Sequence, residues 1–194
     1  NSGKPFAKKL TAFATPDAYQ ATTRSAPGYE WSTWGLWDAT NRPRGAEVSY
    51  YIAPTKDTAK GAKMDSLQVK IYNEKNENIR NLKWKADTGF NRQWWGMEEK
   101  GFRNPGAPKP RPGAPEPGGL QVNPGTYKVV LVMGKEMDST MVTVKDDPRL
   151  NKTAEAKVAQ RQMLNRLRNS TDKLTAAIDR LGEWEEVLGK ETAQ

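Results

Sequence analysis

The hydrophobic period of this chain changes once, just after Asp147, and no other feature limits its fold as strongly. Upstream the apolar residues alternate. AEVSYYI places Val48, Tyr50 and Ile52 on one face, and SLQVKIY sets Leu67, Val69 and Ile71 opposite Gln68, Lys70 and Tyr72, the pattern of half-buried strands. TYKVVLVMG is apolar throughout its middle, as a strand covered on both faces would be. A tight Gly134-Lys135 turn then leads into a run with Val142 and Val144 on one face. Some six strands with no helix between them predict a mainly β fold, an antiparallel β-sandwich over residues 46–146.

Downstream, Leu164, Leu167, Thr171, Leu174, Ile178 and Leu181 step by threes and fours. The phase survives Asn169-Ser170-Thr171, so the spacing predicts one long amphipathic helix within 152–189 rather than a hairpin. Thr153 is a candidate N-cap with Glu155 in the first turn, whereas Glu183, Glu185 and Glu186 oppose the dipole near the far end. An apolar stripe of Leu164, Leu167, Leu174, Ile178 and Leu181 requires a covering surface. That surface is the sandwich, another helix of a parent chain or a second protein.

Residues 1–45 mix Thr, Ala, Pro and aromatics without period, and the reading is an extended lead-in from a preceding domain. Because the sequence starts at Asn1, a processed protein or a piece of a longer one is expected. Residues 101–125 are dense in Pro and Gly, which removes ladder donors and predicts an exposed loop of the sandwich.

With neither Cys nor His in 194 residues, the common zinc and haem ligand sets, cysteine nucleophiles and histidine triads are all excluded. Glu98-Glu99 and Asp146-Asp147 are sequence neighbours in expected turns, not carboxylates opposed across a cleft. No S-x-x-K opens a helix. The expectation is a chain with no catalytic residue, no metal and no cofactor. The net charge of +8 is diffuse: residues 1–46 carry 6 basic and 3 acidic side chains, 47–145 carry 16 and 11, and 146–194 carry 9 and 9. A nucleic-acid groove concentrates its cations on one face, so no nucleic-acid partner is expected. No apolar run is long enough for a membrane-spanning helix.

Tryptophan supplies the remaining candidates. Trp31, Trp34 and Trp37 recur every third residue, which on a polyproline-like segment aligns them for docking to a neighbouring domain or for stacking on sugar rings. In GFNRQWWGM, Trp94 and Trp95 fall on opposite faces of one strand. Trp95 is assigned to the core, and Trp94 to the outside or the underside of the proline-rich loop. Gly89 provides the backbone freedom that starts the strand.

LQVKIYNEKNENIRNL, TGFNRQWWGMEEKG and PGTYKVVLVMGKE, in that order, resemble the Ig-like domain of the flagellar hook-capping type. Gly89, Asn91, Trp95, Gly125 and Tyr127 occupy its pattern positions. Asn76-Glu77-Asn78 stands where a turn glycine is usual, and Gly96 where an acidic residue is common. The wider order, RPRGAEVSYYI, the strands, DDPRL and a long amphipathic helix, is similar to the C-terminal region of bacterial sortilin-like, BNR/Asp-box β-propeller proteins that are glycosidase-like. The resemblance covers roughly residues 30–188. It implies an Ig-like or fibronectin-III-like sandwich followed by a long C-terminal amphipathic α-helix. It further implies a place in the bacterial cell envelope, periplasmic or outer-surface, or secretion, with any glycosidase chemistry in a propeller outside these residues. Partners would be that propeller, another envelope protein or a glycan. The leading expectation is a non-catalytic structural or interaction module, with Trp94 beside Trp31, Trp34 and Trp37 as a docking residue; the alternative is a carbohydrate-binding accessory module of a glycoside hydrolase that stacks sugar rings on Trp34, Trp37 and Trp94. DTA, DSL and DST make Thr58, Ser66 and Ser139 possible O-glycosylation acceptors, against plain turn chemistry.

Overall fold

A computed structural model describes residues 7–22, 43–54, 66–150 and 153–191. The chain is mainly β with one long C-terminal helix, and it divides into two units: Asn1–Met97 with Val122–Leu150, and Glu98–Gln121 with Asn151–Gln194.

In the first unit the strands are β1 (Leu10–Ala12), β2 (Ala18–Tyr19), β3 (Ala46–Ile52), β4 (Leu67–Tyr72), β5 (Asn78–Trp84) and β6 (Gly89–Trp95), with β9 (Gly125–Met133) and β10 (Glu136–Lys145) further along the chain. They form a three-stranded sheet in the order β1-β3-β6 and a five-stranded sheet in the order β2-β10-β9-β4-β5. All pairings within these sheets are antiparallel except β2 with β10. The alternating residues do what their spacing requires. Val48, Tyr50 and Ile52 of β3, Leu67, Val69 and Ile71 of β4, and Val142 and Val144 of β10 all join one core, their intervening neighbours facing outward. β9 is the middle strand of its sheet, and Val129, Val130 and Leu131 are buried in succession, which accounts for its unbroken apolar run.

Trp95 is fully buried and meets the Tyr127 ring edge-on at 5.3 Å, while the Tyr127 hydroxyl donates to the Asn123 carbonyl at 2.6 Å. Gly134 and Lys135 form the two-residue β9–β10 loop, with Gly134 at φ 59, the sign a type II′ hairpin turn needs at that position.

Residues 7–22 are a component of the β unit rather than a lead-in to it. β1 pairs with β3, β2 runs parallel to β10, and the Asp138 carboxylate of β10 accepts the Ala12 N–H of β1 at 2.9 Å. Strands of three and two residues are too short to express a period, so the sequence pattern hides them. Asp147 also departs from the solvated-turn reading. Its carboxylate is buried and takes the Arg149 N–H at 3.0 Å and the Arg149 guanidinium at 2.6 Å, and that guanidinium reaches on to the Thr22 carbonyl.

The second unit contains β7 (Glu98–Lys100), β8 (Gly118–Gln121) and the helix α1 (Ala154–Glu191). β7 and β8 pair antiparallel and bracket the proline-rich stretch, which falls in the unit of the helix and not, as expected, in that of the other strands. Helix α1 runs unbroken through Asn169–Thr171; Thr153 caps it by accepting the Ala156 N–H at 3.2 Å. Among the described residues no helix is long and apolar enough to cross a membrane.

Candidate interaction surface on the C-terminal helix

Helix α1 carries two stripes of different chemistry. Turning 100° per residue, Arg161, Leu164, Arg168, Thr171, Thr175 and Asp179 share one face, and these are among the positions where the helix loses solvent exposure. The contacts on that face are polar. Glu99 of β7 receives the Arg161 guanidinium and, at 3.4 Å, that of Arg168, while Arg161 also donates to the Gln121 carbonyl at 2.8 Å. The Thr175 hydroxyl, 8 % exposed, donates to the Arg103 carbonyl at 3.1 Å. Arg103 in turn pairs with Asp179, and its hydrogen bond holds the Asp179 carboxyl below the ordinary carboxylate range. Further along, Lys109 meets Glu183 at 2.8 Å. That pair is well exposed and of small energetic weight. Glu99 differs: its side chain is 18 % exposed and faces two half-buried guanidiniums, so losing it would leave partly desolvated charge without a counter-ion.

The second stripe is apolar and uncovered. Leu167, Leu174, Leu181 and Leu188 recur at seven-residue intervals, each more than half exposed. Met163, Ile178 and Trp184 border them and are exposed as well, at 74 %, 37 % and 64 %. An open groove follows the early part of this stripe, lined by Ala159, Gln162, Met163, Arg166, Leu167 and Ser170. A row of large apolar side chains left in water is costly and unusual for a surface helix.

Among the sequence candidates, Leu167, Leu174, Ile178 and Leu181 share the exposed stripe, whereas Leu164 leans toward the docked face. Sequence reasoning stopped the stripe at Leu181, although the leucine repeat itself extends to Leu188. It also missed the docked face, for which the seven-residue spacing of Arg161, Arg168 and Thr175 was an available signal. Glu99, assigned to a solvated pair, is the anchor of that face.

Trp94 lies half-buried on β6 opposite Glu47, its indole N–H buried and without a hydrogen-bond partner among the described residues. Trp31, Trp34, Trp37 and Thr58 lie outside the described residues. Ser66 is exposed just before β4, and Ser139 is exposed within β10. Comparison with family models, with curated proteins and with solved structures returned no match.

Proposed function

We propose that this chain is a non-catalytic interaction module in which an Ig-like, fibronectin-III-like sandwich carries a helix that binds a partner through its leucine stripe. The observation that carries the reading is the exposed repeat of Leu167, Leu174, Leu181 and Leu188 on a helix whose other face is already docked. A helix held by polar contacts is positioned without consuming its apolar residues, so they are left for a second surface. Burying each leucine there would contribute roughly 1.5–3 kcal/mol.

Support for the Ig-like assignment comes from the three-plus-five strand order with β2 parallel to β10, the buried Trp95 and the Tyr127 hydroxyl tied back to the Asn123 carbonyl. The last is the hydrogen bond of a tyrosine corner. The setting we propose, on the resemblance alone, is the C-terminal part of an exported bacterial propeller protein or a subunit of an envelope assembly.

The test is a pull-down with the tagged full chain beside Leu167→Asp and Leu174→Asp. Both positions are solvent-exposed, so the variants should fold as the parent does, which circular dichroism checks. Loss of the captured partner in both variants is the expected result; undiminished capture would remove the stripe from the function.

A further inference from the structure

Resting on the proposed role of the stripe, we infer that its occupant is an acidic amphipathic helix from outside this chain, not a second copy of it. Each of the first three stripe leucines is preceded in sequence by a cation: Arg166 before Leu167, Lys173 before Leu174 and Arg180 before Leu181. These cations are exposed and flank the stripe on the side away from the docked face. Among the described residues none of the three meets a carboxylate. Other basic residues of α1 do: Arg161 and Arg168 share Glu99. The uncovered leucine row is thus bordered by an unneutralised basic row in the same heptad register, the arrangement that selects a helical partner by charge.

A second copy fits poorly. In a parallel, in-register pair, Arg166 would face Thr171 of the other copy and Lys173 would face Ile178, leaving only Arg180 opposite a carboxylate, that of Glu185. An antiparallel pair would set the two basic rows against each other. The positions three residues after successive repeat sites are Met163, Ser170, Ala177 and Trp184. Parallel self-pairing therefore also stacks small on small at two layers and indole on indole at another, and both mismatches cost packing energy. A partner with large apolar residues opposite Ser170 and Ala177, a small one opposite Trp184, and Glu or Asp facing Arg166, Lys173 and Arg180 satisfies every layer. An anionic lipid surface is the weaker fit, because its evenly spread charge also meets Glu183, Glu185 and Glu186, whereas a partner helix can place its carboxylates against the basic row alone.

The experiment uses the full chain and two synthetic four-heptad peptides with the same leucine seam, one flanked by Glu and one by Lys, with binding read by fluorescence anisotropy at low and high salt. The expected result is binding of the Glu peptide about tenfold tighter than the Lys peptide at low salt, a ratio that three screened charge pairs support. The preference should shrink at high salt and invert in the Arg166→Glu/Lys173→Glu/Arg180→Glu variant, with Lys173→Glu alone giving a partial effect. Equal binding of both peptides, abolished by Leu174→Asp, would overturn the charge selection while leaving the stripe as a docking surface. No binding of either peptide would overturn both. Self-association in sedimentation equilibrium that Leu174→Asp abolishes, or binding to phosphatidylglycerol vesicles in place of the Glu peptide, would overturn the acidic-helix occupant.

Discussion

At the scale of single residues, backbone geometry and burial decide most of what this chain tolerates. Asn76 sits in the β4–β5 turn at φ 60, a left-handed conformation that Gly adopts freely, Asn tolerates and other residues resist. Asn76 takes that conformation, and the Asn73 side chain closes the turn by accepting the Lys75 and Glu77 N–H groups at 3.0 and 2.9 Å. Replacing Asn76 with Gly should leave stability nearly unchanged, whereas Asn76→Val should lower it by about 1–2 kcal/mol, measured by urea unfolding. Gly45, at φ 116, lies against the Trp95 carbonyl, so any side chain there meets both a strained backbone and an occupied space. The core strongly perturbs the Tyr50 phenol. Burial, aided by the Asp87 charge, pushes its phenol from 10.0 up to about 12. The folded protein keeps that proton longer than the unfolded chain does, so the contribution to stability is complete below pH 10 and declines as pH rises through the interval to 12. Alkaline denaturation of the parent and of Tyr50→Phe should diverge there, the variant showing a shallower loss.

At the scale of elements, the two helix faces should respond oppositely to mutation. Leu174→Asp acts at a position 53 % exposed and should change the stability of the isolated chain by less than about 0.5 kcal/mol. Leu131→Ala, in a fully buried position of β9, should cost about 2–5 kcal/mol. Glu99→Gln removes the shared counter-ion of Arg161 and Arg168 and should lower helix protection in hydrogen exchange by about 1–3 kcal/mol. The Arg103–Asp179 contact should weaken as pH falls, because a depressed carboxyl stabilises the fold above its unfolded pKa and ceases to do so as it is protonated. Much of this was legible in the sequence: β3, β4, β9, β10 and the helix announce themselves by period, and Thr153 by its capping chemistry. β1 and β2 were not, since five residues among prolines and alanines carry no period. The docked helix face was obscured for a different reason. Its contacts are ion pairs and hydrogen bonds to β7, β8 and the loop between them, and a scan for apolar periodicity passes over a polar stripe.

At the scale of the whole molecule, each unit contributes a different property. The β unit has a continuous core fed by both sheets, enough to fold without disulfides or metal. The unit of β7, β8 and α1 has little apolar burial of its own and places its largest apolar residues in water, an arrangement that makes sense when a partner completes it. The central claim is therefore about which helix face is free, and the lack of cysteine makes it directly measurable by thiol labelling of single-cysteine variants. In the isolated full chain, Leu167→Cys and Leu174→Cys should label close to the rate of an unhindered thiol, with Thr175→Cys strongly slowed and Arg168→Cys intermediate. Rapid labelling at Thr175→Cys together with protection at Leu174→Cys would place the docked face on the leucines and contradict the account.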